Sequence, residues 1–236
     1  MFAYEADHWW FVNRQRLVME WIKRLTSPGK PLKILDVGCG TGLMMEKLSS
    51  LGRVWGIDCS SEAVGYACKR GLAQVRQISC EKLNDPNGSY DVIICLDVLE
   101  HIKDEKAALC SLMRVLAPGG LLVVTVPAFR FLWSAYDVIL GHQRRYGRSE
   151  LIATLRGAGF DVLRASYFVT ILFPAIALYR FFMHLRPRKD VSDLFVFPRP
   201  LNAAFKVLGT LERRFMARGN LLFGSSIICL CQKPLH

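Results

Sequence analysis

Three groups of residues in this chain have types and spacings suited to chemistry. The first is Asp36-Val37-Gly38-Cys39-Gly40-Thr41-Gly42. Glycines at alternate positions let the backbone take positive φ and admit a ligand with no Cβ in its way. A helix starting behind them would turn unpaired N–H groups toward that ligand. The spacing is not the G-x-G-x-x-G of dinucleotide sites, and the lysine of a P-loop is missing. A carboxylate two residues before the first glycine suits a ligand with an ammonium group or hydroxyls better than a pyrophosphate. The second group is Asp58, which ends an apolar run 22 residues after Asp36. An acid in that place can take both ribose hydroxyls; with Ser60-Ser61-Glu62 following, it can equally cap a helix. The third group is His101, and His142 with Arg144-Arg145. Imidazole titrates near neutrality and can accept a hydroxyl proton, and paired arginines match phosphate or carboxylate. The plainer alternatives are a histidine that only packs and a solvated basic loop.

Those residues need elements to hold them. Ile34, Leu35 and Val37 form a β-type run, and Leu43, Met44, Leu48 and Leu51 follow with helical spacing. Further strands are expected over Arg53–Asp58, Ala73–Ile78 and Tyr90–Leu96. Asp97 to His101 then opens a helix that places His101 one turn past Asp97. Residues 112–127 read as a helix, a Pro-Gly-Gly turn and a fifth strand. This alternation from 33 to 127 argues for a parallel sheet with helices on both faces. The loop after Pro127 leaves the carboxyl end of a strand, where ligand crevices lie. It carries Trp133, Asp137, His142, Arg144, Arg145 and Tyr146 as candidate acceptor contacts. Gly159–Ala165 and Ser226–Gln232 read as the last two strands, separated by about 60 residues.

Hydrophobic residues make up 52% of the 236, and charged residues 22%, a globular composition. The mean hydropathy of +0.23 is high enough to ask what the surplus apolar surface serves. The eight cysteines include no C-x-x-C pair. They read as buried free thiols in a reducing, cytoplasmic compartment, with no metal site expected. The net charge of +11 is uneven: residues 1–163 hold 20 basic and 17 acidic side chains, residues 164–236 hold 11 and 3. Within that basic third, Tyr167 to Tyr179 has no charge, yet its 13 residues fall short of the roughly 20 needed to span a bilayer. A following helix places Leu201, Phe205, Leu208, Leu211 and Phe215 on one stripe. An apolar face with a basic flank suits an interfacial membrane helix, the alternative being a hairpin packed on the sheet or on a second copy of the chain. Basic residues alternating with aliphatic runs argue against nucleic acid. The opening His8-Trp9-Trp10-Phe11 precedes a helix with Trp10, Leu17, Trp21 and Leu25 at near-helical spacing. Either it caps the core or it is a lid whose Arg14 or Arg16 reaches a ligand's carboxylate.

The stretch from Lys33 to Gly42, with Asp36 before the glycines, resembles motif I of class I S-adenosylmethionine-dependent methyltransferases. Ser89-Tyr90-Asp91-Val92-Ile93-Ile94-Cys95-Leu96-Asp97-Val98-Leu99-Glu100-His101 resembles motif IV and its sequel, and Leu116-x-Pro118-Gly119-Gly120 also follows the family pattern. The H-W-W-F opening is similar to that of a bacterial subset. The resemblance covers roughly residues 30–165 and the last strand. It implies a Rossmann-like α/β fold: a mainly parallel sheet with helices on both faces, an antiparallel last strand that pairs with the strand before it as a hairpin at the edge, and a helical insertion before that last strand. The expected division is a lid helix over 1–29, a cofactor-binding core over 30–166 with 225–236, and an insertion over 167–224. The implied cofactor is S-adenosylmethionine, leaving as S-adenosylhomocysteine. Asp36, Gly38, Cys39, Gly40, Asp58, Cys59, Leu96, Asp97 and Arg14 would hold it. Where the family carries an adenine-binding Asp and a small residue, this chain has Ser79 and Cys80. The function this implies is methyl transfer, to oxygen first, with His101 or His142 taking the proton. Leu132-Trp133-Ser134-x-x-Asp137 and Gly141-His142-x-Arg144-Arg145-Tyr146 resemble bacterial methyltransferases of envelope or lipid-linked glycan pathways. The expected partner is therefore a lipid-like or lipid-linked acceptor, met through peripheral contact of 167–218 with the cytoplasmic membrane face. Two alternatives stay open: a soluble small-molecule methyltransferase with a dimerising hairpin, and a scaffold subunit that binds the cofactor without turnover.

Overall fold

The computed structural model describes residues 5–26, 29–185 and 197–235. The chain runs α1 (Trp9–Leu25), β1 (Leu32–Val37), α2 (Leu43–Leu48), β2 (Gly52–Asp58), α3 (Ser61–Lys69), β3 (Val75–Gln77) and β4 (Tyr90–Leu96). It continues α4 (Glu105–Val115), β5 (Leu116–Pro127), α5 (Ala135–Ile139), α6 (Arg148–Gly157), β6 (Asp161–Phe168), α7 (Phe173–Leu185), α8 (Arg199–Arg218) and β7 (Ser226–Gln232). The seven strands lie in the order β3-β2-β1-β4-β5-β7-β6. β1 to β5 are parallel, and β7 runs antiparallel to both of its neighbours. The last two strands therefore pair antiparallel at the edge of the sheet, as expected. Of the two, β6 takes the outermost place and β7 is threaded between β5 and β6. Its run Ile227 to Cys231 is buried on both faces, as an interior strand requires.

Alternation along the strands sends side chains to two cores. Leu35, Val37, Ile93 and Cys95 meet Leu109, Leu112, Leu151 and Leu155 of α4 and α6 on one face. Ile34, Val92, Ile94 and Ile228 meet Val18 and Trp21 of α1, Leu48 of α2 and Met216 of α8 on the other. The face of α1 that packs is Trp9, Leu17, Val18, Trp21 and Ile22, while Leu25 is exposed. Five cysteines are buried and free, but Cys59, Cys68 and Cys110 are exposed, contrary to the expectation that all would be covered.

The segment between β6 and β7 is helical, as its sequence suggests, and α8 docks by a partly polar side. Its stripe of Leu201, Leu211 and Phe215 is exposed. The side that docks carries Asn202, Phe205, Gly209, Glu212 and Met216. Asn202 accepts the Trp9 N–H at 2.9 Å and donates to the Asp7 carbonyl at 2.9 Å. Gly209 lies so close to Asn13 of α1 that a Cβ would fall 2.0 Å from its amide nitrogen. Glu212 accepts N–H groups of Val169, Thr170 and Ile171, holding the chain where it leaves β6. Polar groups satisfied by specific partners pin the helix; Leu201, Leu211 and Phe215 of its stripe are left outward, while Phe205 packs against Trp9. Arg186, Arg188 and Lys189, part of the basic flank, lie outside the described residues. Among the described residues no helix is long and apolar enough to cross a membrane.

Candidate active site

The carboxyl ends of β1, β4, β5 and β6 share one edge of the sheet, and a cavity of about 920 Å³ opens there. Ligand sites typically enclose about 300–1,000 Å³. Three non-glycine residues take positive φ at this edge: Asp97 after β4 (56°), Phe129 after β5 (57°) and Val169 after β6 (60°). Strain of this kind persists where surrounding structure over-determines it, and it gathers at functional sites.

One end of the cavity is built from β1, β2 and the glycine turn. Gly38 and Gly40 have φ of 67° and 55°. A Cβ on Gly38 would lie 2.4 Å from a Val98 methyl carbon, whereas Gly40 faces open space. Asp36 is 2% exposed and lines the cavity, and its Oδ2 has no hydrogen-bond partner. Burial, and secondarily the Asp58 charge, push its carboxyl up to about 8, against the pull of Arg14. Asp58 resolves the two readings of its place in a third way. Its Oδ2 accepts the Gly40 N–H at 2.9 Å and its Oδ1 accepts the Ser60 N–H at 2.8 Å, so it ties the glycine turn to the start of α3. Ser60, not Asp58, caps α3, accepting from the Ala63 N–H at 3.2 Å. From α1, Arg14 lies with its guanidinium carbon 4.3 Å from the Trp10 ring centre and pairs with Asp97, leaving its buried Nε unpartnered. Glu5 reaches over the turn and accepts from Thr41 and from Arg70.

The other end is built from the segments after β4 and β5. Asp97 to His101 does not open a helix; Leu99–His101 is a short 3-10 turn and α4 begins at Glu105. His101 still lines the cavity, with its ring 4.7 Å from that of His142 and nearly perpendicular to it. Burial, then the neighbouring His142, lowers the His101 pKa, which favours the neutral ring. Asp137 is fully buried. Its Oδ1 lies 2.8 Å from His142 Nδ1 and 2.7 Å from Arg145 Nε. Burial by itself would raise the Asp137 carboxyl, but hydrogen bonds from His142 and Arg145 and the charges of Arg145 and Arg180 hold it well below the usual range.

The structure thus brings Arg14, Asp36, Gly38, Cys39, Gly40, Leu96, Asp97, His101, His142 and Arg145 to one cavity. Other expected site residues do not line it. Cys59 is exposed, and Cys80 is buried in the core with its thiol 3.6 Å from Glu81, so the thiol does not face the cavity. Ser79 precedes it, half-buried, at the start of a 3-10 turn. Trp133 is half-buried outside the cavity. Arg144 and Tyr146, expected at the acceptor, instead brace α4: Arg144 lies 3.2 Å and the Tyr146 hydroxyl 2.5 Å from Glu105. Asp137 serves its neighbours rather than a ligand. The sequence reading had not singled out Arg180, which was visible only as the one charge interrupting an apolar run. It also passed over Glu100. That side chain is buried at the cavity with neither oxygen hydrogen-bonded, and burial and then Asp97 raise its pKa well above the ordinary value. One donor atom each of Glu100, His101 and His142 fall within 4.8 Å of one another, close enough to share a proton or a cation.

A mostly parallel sheet whose site lies at the glycine turn of β1 is the architecture of class I S-adenosylmethionine-dependent methyltransferases. Over residues 10–165 the chain matches the family described as methyltransferase domain, and it belongs to that family. A ubiquinone biosynthesis O-methyltransferase of Bordetella avium is 30% identical over an alignment of 190 positions that covers 68% of this chain and 78% of that protein. One of Methylococcus capsulatus is 35% identical over an alignment of 135 positions that covers half of this chain and 56% of that protein. The alignments thus span between about half and three quarters of these relatives. In fold, the chain is similar to an S-adenosylmethionine-dependent methyltransferase of Mesorhizobium loti (TM-score 0.60, 16% identity, 92% of this chain and 98% of that one). It is likewise similar to phosphoethanolamine N-methyltransferase 2 of Haemonchus contortus in complex with S-adenosylmethionine (TM-score 0.62, 17% identity, 94% of this chain and 52% of that one). The protein is an S-adenosylmethionine-dependent methyltransferase. A buried Asp36 carboxyl whose Oδ2 has no hydrogen-bond partner, beside a turn open at Gly40, fits a ligand that carries an ammonium group next to a sulfonium.

Proposed function

We propose that this protein transfers the methyl group of S-adenosylmethionine to an oxygen of a lipid-like or lipid-linked acceptor at a membrane surface. The observation that carries this reading is the lip of the cavity. Leu140, Ile176 and Tyr179 line its acceptor side. Next to them in the chain, Val138 and Ile139 of α5 and Leu178, Phe181 and Phe182 of α7 are each more than half exposed. An apolar surface at the mouth of a site suits an acceptor that arrives from an apolar phase. The relatives' designation as O-methyltransferases of ubiquinone biosynthesis supports oxygen as the accepting atom.

Bound cofactor supplies an electrophilic methyl carbon on a sulfonium. Asp36 holds the ammonium end, and Asp58 fixes the backbone of Gly40 against the nucleoside. His142 or His101 removes the acceptor proton. Alignment of two bound reactants lowers such a barrier by several kcal/mol. To test the reading, methyl-labelled S-adenosylmethionine and the protein are incubated with a lysate of the source organism, and products are partitioned between organic and aqueous phases. Protein-dependent label in the organic phase is expected. Label in the aqueous phase alone would keep methyl transfer and remove the membrane acceptor, leaving the exposed helices as a dimer surface. Cofactor binding without transfer to any extract would favour the scaffold alternative.

A further inference from the structure

We propose that Asp137 is the positioning residue of the acceptor side: it selects His142 rather than His101 as the base, fixes its Nδ1–H tautomer, and links that alignment to α7 through Arg180. The inference rests on the reading of a histidine as proton acceptor and deepens it by naming which one and what orients it.

The Asp137 carboxylate has no freedom to turn. Oδ1 faces His142 Nδ1 at 2.8 Å and Arg145 Nε at 2.7 Å. Oδ2 accepts from Arg145 Nη2 at 3.0 Å, the Ser134 N–H at 2.8 Å, the Ser134 hydroxyl at 3.1 Å and Arg180 Nη1 at 3.2 Å. The His142 N–H also donates to the Asp137 carbonyl at 2.9 Å, so side chain and backbone hold the same pair. A carboxylate accepts only; the nitrogen facing it must carry the proton, which leaves Nε2 with the lone pair. His101 has no such backing. Its residue is exposed, its ring packs edge-on against that of His142, and it bonds to the backbone of Gly141 rather than to a buried carboxylate. The charged groups around the pair are Arg145 and Arg180 on the Asp137 side, with Glu100, and Asp97 with its partner Arg14, across the cavity. Arg180 reaches this carboxylate from α7, and it also donates to the carbonyl of Leu132. Seating α7 and fixing the base are therefore one arrangement. In the reaction, the acceptor hydroxyl gives its proton to Nε2 as its oxygen bonds to the methyl carbon. The carbon–sulfur bonding pair stays on sulfur, and the imidazolium afterwards loses its proton to water.

The decisive measurement is the nitrogen NMR spectrum of 15N-histidine-labelled protein saturated with S-adenosylhomocysteine, which needs neither acceptor nor turnover. Near neutral pH, His142 is expected as the Nδ1–H tautomer, and Asp137→Asn should mix or invert it. Transfer of label into the organic extract supplies the second readout. Asp137→Asn and Arg180→Gln should lower kcat, the former by at least ~10-fold, with KM for S-adenosylmethionine unchanged. In a His142→Gln background, Asp137→Asn should cost nothing further, since a positioning residue acts only through the group it positions. An Nε2–H tautomer in the wild-type protein would overturn the proposal even if Asp137→Asn does not fold. So would an undiminished effect of Asp137→Asn without His142, or transfer that a chelator abolishes and a divalent ion restores, because Nε2 would then be a metal ligand. Wild-type turnover in His142→Gln would instead overturn the choice of base itself, whatever the tautomer.

Discussion

The two ends of the cavity are held by different kinds of interaction. The cofactor end is short-range in the chain: Asp36, the glycine turn and Asp58 lie within 23 residues on two adjacent parallel strands, and its hydrogen bonds run largely to backbone N–H groups. The acceptor end is assembled from three separate segments, at 97–101, 134–145 and 176–180; the Arg180–Asp137 ion pair joins the last two, and Asp97 is tied to Arg14 of α1. A site built on backbone is insensitive to most side-chain changes but intolerant of a lost glycine. A site built on charged side chains can be retuned by single substitutions. This is how one cofactor frame can serve many acceptors.

The largest expected effect lies on the acceptor side. His142→Gln should lower kcat by about 10²–10⁴-fold while equilibrium binding of S-adenosylmethionine, followed by calorimetry, stays as in the wild type. Weakened binding as the main effect would mean that the two ends are not separable. On the cofactor side, Asp58→Ala should weaken cofactor binding by roughly 10–100-fold, as expected for losing hydrogen bonds to a charged group, and should lower the melting temperature because Gly40 is released. Unchanged affinity would show that the tie from Asp58 to Gly40 does not shape the cofactor site. Gly38→Ala should cost about 1–2 kcal/mol of stability for its left-handed backbone, beyond the clash with Val98, and should weaken cofactor binding as the turn shifts.

A fourth expectation concerns pH. The folded, ligand-free protein keeps a proton on Asp36 up to about 8, whereas the unfolded chain releases it near 3.8. Its contribution to stability is therefore full below 3.8 and is lost as pH rises through that window, with a slope of at most about 1.4 kcal/mol per pH unit. Glu100 acts in the same sense, so Asp36→Asn is the control that isolates the first group. Melting curves should show the slope, and S-adenosylmethionine should flatten it by supplying a cation beside the carboxylate. The smallest effect on folding belongs to the exposed lip: Phe181→Asp with Leu178→Asp should leave stability within about 0.5 kcal/mol yet abolish sedimentation with anionic vesicles. Unchanged vesicle binding would remove α7 from the membrane reading.

Asp36, the glycines and Asp58 were legible in the sequence because each is set by local backbone need: positive φ, close approach, a strand end. His101 and His142 could be named as bases, but their difference could not be read, since it depends on a carboxylate held by arginines up to 43 residues away. Asp137, Arg144 and Tyr146 have the residue types of an acceptor site, yet they spend their hydrogen bonds inside the protein. Type and spacing do not reveal which partner a side chain meets. The apolar stripe of α8 was visible as a stripe, but which of its residues would pack and which would stay outward was not. Asn202 and Glu212 found buried partners, and that satisfied polar face, rather than the apolar one, set the rotation of the helix.

The amino-acid sequence alone determined the sheet's alternation with helices, the glycine turn and the cofactor class, because those follow from hydrophobic period and backbone conformation within a few tens of residues. Only the tertiary structure decided that the last strand lies inside the sheet, that Glu100 is buried without a partner, and that Asp137 joins His142 to α7. Those outcomes depend on which distant groups are brought out of water together, and desolvation and ion pairing act through space rather than along the chain.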